Sequence, residues 1–221
     1  MKELIIYHGS NQKVLHPQYN YLKAKDTSDY GRAFYTTLDK ESGKEWACKN
    51  SENGVLNIYE IDQSNLNILD LTDTSKYSVL HWICLLLINR PLSKTFKETY
   101  KDEISFILKY RLDLSDVDVI IGYRADDAYF KFPRLFVQGQ ISYDMLEKIY
   151  LNGSLGKQYV VYSKKAFGRI KFLDYELVTK EYYFKYQKRV EDADELFDSI
   201  CAAEKQRNGK SIKNLMLGYN K

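Results

Sequence analysis

The sequence predicts an α+β fold. Strand-like and helix-like stretches are mixed without the regular alternation of a doubly wound sheet, no stretch repeats another, and no linker divides the chain. With only 3 prolines and 11 glycines in 221 residues, nothing marks a boundary, and residues 1–221 read as a single domain. A chain of this length can bury most of its apolar surface without disulfide staples.

The elements follow in order. Residues 3–7, β-branched and aromatic, predict a buried strand closed by a polar turn at Gly9-Ser10-Asn11-Gln12. From Pro17 to Gly31 the chain is tyrosine-rich without a period and reads as a loop. A strand is expected at 32–37, then a helix over 39–48 with Asp39 as its N-cap. Alternating apolar residues predict strands at 54–62 and 66–71.

A helical block spans 76–111, broken before Pro91, with Ile104, Ile107 and Leu108 at helical spacing. A strand is expected at 116–123, a helix at 142–150 and a strand at 157–163, after which the apolar stretch 169–178 follows. A helix at 186–206 should pack on the outside, and the tail from 211 is Lys- and Asn-rich with a small apolar cluster.

Composition excludes several classes. A net charge of +3, from 33 basic and 30 acidic residues, provides no field for nonspecific nucleic-acid or membrane binding. The most apolar segment, 79–88, falls far short of the roughly 20 residues a membrane helix needs, and no signal peptide is visible. Cys48, Cys84 and Cys201 are far apart and form neither a disulfide framework nor a zinc site, which suits a reducing cytoplasm. The chain has no phosphate-binding loop, dinucleotide fingerprint, nucleophile elbow or zinc-protease motif. With three histidines (His8, His16, His81), and His81 inside an apolar helix, no multi-histidine metal centre is expected. The 20 tyrosines suit sites for flat polar ligands and suit plain packing as well.

Three stretches carry the functional reading: "YHGS" at 7–10, "GRAFYTT" at 31–37 and "QYVVY" at 158–162. In order and in flanks they resemble the ADP-ribosyltransferase superfamily, in its diphtheria-toxin and poly(ADP-ribose) polymerase branch with a His-Tyr-Glu triad. "LDKESGKEWA" at 38–47 is similar to the helix that follows that family's Gly-x-Gly-x-Tyr strand. The resemblance implies two small, mostly antiparallel sheets packed around an NAD cleft, flanked by the helices above. It implies that the backbone of Gly9 clamps the nicotinamide amide, where a Cβ would obstruct, that His8 bonds a ribose hydroxyl, and that Tyr35 stacks on the nicotinamide ring. Tyr7, Ser10, Gly31, Arg32, Phe34, Arg124 and Tyr129 complete the implied NAD-binding set.

At the position of that branch's catalytic glutamate stands Gln158, which can donate and accept hydrogen bonds but cannot take a proton. Transfer with glutamine in the triad, transfer with a carboxylate from elsewhere, and binding without transfer all stay open. Arg124, Asp126, Asp127 and Tyr129 follow directly on a predicted strand, where a loop can present an arginine to phosphates and an acid to a nucleophile. Asp126 and Asp127 are therefore the candidate carboxylates, although a charged turn after a strand is also an ordinary solvated connection. The turn "QGQ" at 138–140 resembles the Gln/Glu-x-Glu turn of the arginine-modifying branch, again with glutamine in place of glutamate.

The whole order of motifs, roughly over residues 4–190, looks most like one small bacterial family, domain of unknown function 3990. That likeness implies membership of the ADP-ribosyltransferase superfamily and a small antitoxin-type partner protein. The expectation is an NAD-dependent mono-ADP-ribosyltransferase, with His8, Tyr35 and Gln158 as its catalytic set. It would be an intracellular bacterial toxin or phage-defence effector acting on a protein or nucleic acid, with NAD as substrate, no metal and no membrane. The alternatives are an inactive module that binds NAD or ADP-ribose, and a structural protein in which His8 and Tyr35 are merely packed.

Overall fold

The structure of the chain, a computed structural model, describes residues 3–20, 27–125, 130–152, 156–204 and 210–219. Its strands form two sheets. The first is antiparallel throughout, in the order β1 (Glu3–Ser10), β3 (Gly54–Asp62), β7 (Ile170–Val178). The second runs β2 (Phe34–Thr36), β6 (Lys157–Val161), β5 (Val119–Tyr123), β4 (Ile68–Asp70), antiparallel except where β4 lies parallel to β5. The sheets meet where Tyr7 and Thr37 exchange two backbone hydrogen bonds of 2.9 Å.

Strand β1 runs past the turn expected at Gly9, because its pairing continues through His8↔Asn57, Gly9↔Leu56 and Ser10↔Val55. The period of two then sorts its side chains. Ile6 faces the second sheet, where it joins Tyr59, Ile61, Val119, Tyr159 and Val161 in a buried layer between the sheets. Tyr7 and Gly9 face the other way, against α1 (Lys40–Ala47). Asp39 caps α1 as expected, accepting the backbone N–H of Ser42 at 3.0 Å.

The far face of the second sheet is covered by helices. The block expected over 76–111 is three helices, α2 (Val79–Asn89), α3 (Lys94–Thr99) and α4 (Lys101–Ile107), closed by a 3-10 turn at Leu108–Tyr110. Pro91 confines Arg90 to extended backbone (φ −79, ψ 140), which stops α2. Eight residues of α2 are buried, Trp82 at their centre with no exposure, which is why its sequence is apolar all round.

Three short helices went unforeseen: α5 (Lys131–Val137), α7 (Lys164–Phe167) and α9 (Ile212–Tyr219). Helix α6 (Tyr143–Asn152) agrees with expectation. The apolar cluster of the tail belongs to α9, whose Ile212 is fully buried in the helical core. The late helix α8 starts at Tyr182 rather than near 186 and is described to Glu204. Its first turns dock on α1 through Lys185–Glu41 (3.0 Å) and Arg189–Glu45 (2.8 Å). Among the described residues no helix is long and apolar enough to cross a membrane.

Candidate functional site

The site grows from the meeting of β1 and β2. His8, two residues after Ile6, points toward the second sheet and packs on the Phe34 ring with centroids 4.5 Å apart. Its Nδ1 lies 2.7 Å from the Tyr35 carbonyl oxygen. A carbonyl only accepts, so Nδ1 carries the proton and Nε2 of the neutral ring is the acceptor. Burial pushes the His8 pKa below its ordinary value, opposed by the bond to Tyr35 and aided by the Lys49 charge, and keeps the ring neutral.

Tyr35 is held at its hydroxyl, which donates to the Gly31 carbonyl (2.7 Å) and accepts the Tyr30 N–H (3.0 Å). Burial raises its pKa strongly, so the phenol is an anchor and its ring is what borders the cleft. Gly31 adopts φ +75, the left-handed backbone that glycine supplies freely, in the turn that brings its carbonyl to this hydroxyl.

Gln158 is on β6, paired with Gly122 of β5, and is 6% exposed. Its Oε1 is buried and has no hydrogen-bond partner among the described residues. Such an orphan acceptor is costly unless something else satisfies it.

Two clefts meet at His8 and Tyr35. One, of about 590 Å³, brings His8, Gly9, Tyr35, Arg124 and Gln158 together with Asp29, Lys49 and Arg90. Trp46 and Tyr186 line it too. The other, of about 620 Å³, lies between residues 10–20 and 32–35 and holds Ser10, Arg32 and Phe34. Tyr7 and Gly31 line neither: Tyr7 packs beneath α1, because odd residues of β1 face that helix. Asp126, Asp127 and Tyr129 lie outside the described residues. The Gln138-Gly139-Gln140 turn also lines neither cleft. It closes α5, with Gly139 N–H on the Phe136 carbonyl, Gln140 N–H on the Leu135 carbonyl, both at 2.9 Å, and Gly139 at φ +71.

Position 9 also requires glycine for a packing reason that the local sequence did not show. A Cβ there would lie 2.1 Å from the Gly43 carbonyl oxygen and 2.5 Å from the Ala47 nitrogen, inside the backbone of α1. Gly9 lets α1 close onto β1. Its N–H and C=O lie on the same strand edge as those of Tyr7, away from β3, and so remain directed toward the cleft.

Sequence reasoning missed Trp46, Asp29, Arg90, Lys49, Asn50 and Tyr186 as cleft residues. Trp46 was within reach: it stands three residues after Gly43, on the face of α1 that glycine brings against β1. Its indole nitrogen is buried without a hydrogen-bond partner among the described residues, and the Arg124 guanidinium lies 4.5 Å from its ring centre. Asp29 and Arg90, 61 residues apart, carried no local signal.

The fold and cleft define a two-sheet α+β protein with a histidine, a tyrosine ring and a buried amide gathered in one hollow. Over residues 4–172 the chain matches the family described as Protein of unknown function (DUF3990), and it belongs to that family. The match ends inside β7 rather than near residue 190, which leaves α8 and α9 beyond it. No curated protein and no solved structure matches the chain.

Proposed function

We propose that this chain is an NAD-dependent mono-ADP-ribosyltransferase with an ADP-ribosyltransferase-like fold. The observation that carries the reading is the convergence of three separated motifs, through His8, Tyr35 and Gln158, on one cleft. The two clefts that share His8 and Tyr35 suit the two halves of a dinucleotide, each within the size range of small-molecule sites.

In this reading the nicotinamide enters the cleft lined by Tyr35, Trp46 and Gly9, where aromatic faces stack on its ring and the Gly9 backbone bonds its amide. His8 Nε2 accepts a ribose hydroxyl, and Gln158 Oε1 accepts another, which would satisfy the orphan acceptor. The bond from ribose C1 to the nicotinamide nitrogen breaks, and its electron pair leaves on neutral nicotinamide. The acceptor nucleophile bonds to C1 and releases its proton to water, since the Gln158 amide cannot take it. Holding the sugar while positive charge builds on it is the service the site provides. The acceptor is a protein or a nucleic acid, the setting is a bacterial cytoplasm, and a small antitoxin-type protein restrains the activity.

Gln158 favours one second reading, a module that binds NAD or ADP-ribose without cleaving it, since an amide cannot serve as a base. Incubating the protein with NAD labelled on the adenylate phosphate, with bacterial lysate and separately with total RNA, tests both. Label on a discrete macromolecule from the native protein and not from His8→Ala supports transfer. Saturable NAD binding with no transfer and no nicotinamide release supports the module.

A further inference from the structure

Asp29 is 4% exposed and lies at the edge of the cleft. Its carboxylate accepts Arg90 Nε at 2.7 Å and a second Arg90 nitrogen at 2.6 Å on Oδ1, and the Ala125 N–H at 3.0 Å on Oδ2. Arg90 in turn donates to the Ala125 carbonyl. Each member of the ion pair thus grips one backbone group of Ala125, which is itself fully buried. The neighbouring Asn89 amide donates to the Asp29 carbonyl (3.1 Å), pinning the loop on which Asp29 sits. Ala125 directly follows Arg124, whose guanidinium rests over Trp46.

We propose that the Asp29–Arg90 pair is the positioning device of the cleft: by clamping Ala125 it sets the Arg124 guanidinium over the Trp46 ring. Asp29 acts through Arg124 and is a positioning residue. Helix α2 ends just before Arg90, the loop at Asp29 leads into β2, and β5 ends beside Arg124, so one pair, its carboxylate buried and its guanidinium partly buried, ties together three segments that line the same hollow. A buried ion pair alone tends to be weak evidence of stabilisation, while its geometry is specific. The proposal rests on the NAD reading only for what Arg124 then does, which is to hold the bound dinucleotide.

The test combines a ligand-free signal with a binding measurement. Trp46 emission, obtained as the difference between a given protein and its Trp46→Phe counterpart, reports whether the guanidinium lies on the indole. Asp29→Asn and Arg124→Gln are expected to change that emission equally, and their combination to add nothing. NAD dissociation constants should follow the same pattern, each single variant about tenfold weaker and the double variant no weaker than either. Asp29→Asn combined with Arg90→Leu removes both charges at once, so that no uncompensated buried charge prevents folding, and should reproduce the same emission. A folded variant of either kind that keeps native Trp46 emission overturns the proposal, as does an additive loss of NAD affinity. If the native protein binds no NAD, the proposed function fails, and the emission comparison still decides the positioning role.

Discussion

The imidazole Nδ1–H of His8 donates to the backbone carbonyl of Tyr35 across 2.7 Å, joining the end of β1 in one sheet to β2 in the other. That bond orients Nε2 as an acceptor and ties the histidine to the same residue whose ring borders the cleft.

Stability and ligand binding should both decline as the medium is acidified, through His8. The folded-state pKa lies below 6.5 and the unfolded one near it, so protons bind the unfolded chain first. The contribution of neutral His8 is complete above pH 6.5 and is lost as pH falls below it toward the folded pKa. Between about pH 7.5 and about pH 5.5 the melting temperature of the native protein should fall further than that of His8→Gln, which has no charge to gain. Equal slopes for the two proteins would exclude this role.

Tyr35→Phe separates anchor from stacking surface. Losing the hydroxyl strips the buried Tyr30 N–H and the Gly31 carbonyl of their partner, at a cost of about 1–3 kcal/mol in denaturant unfolding. NAD affinity should survive in Tyr35→Phe and weaken by about three- to tenfold in Tyr35→Ala, where the ring is gone.

Gly9→Ala drives a methyl into the α1 backbone and should destabilise the protein by about 1–3 kcal/mol whether or not ligand is present. A stability loss seen only when NAD is present would point instead to a clash with the ligand inside the cleft.

Gln158→Glu installs a general base where the amide stands. If the native fold already holds NAD in a reactive geometry, nicotinamide release should rise by about 100-fold. An unchanged rate in a folded variant that still binds NAD would favour the binding module.

Much of the fold was legible because burial leaves a periodic trace. Alternation marked β3 and β4, the all-apolar α2 and the capped α1 were plain, and Pro91 announced its own break. The helices missed were short ones: α5 carries Pro133 in its first turn, and α9 shows its apolar face only against a core built from distant residues.

The same division holds for the site. By itself the sequence determined the chemistry on offer at each position: an imidazole before a glycine at the end of the first strand, an aromatic on the next, an amide at the place of the resembled family's carboxylate. Only the tertiary structure decided which of these meet. It turned Tyr7 away under α1, set Gly9 against Gly43, and brought Trp46, Asp29 and Arg90 to the cleft. The reason is that strand register and helix docking are settled by contacts between residues far apart in the chain, and such contacts leave no mark on the local pattern of any one stretch.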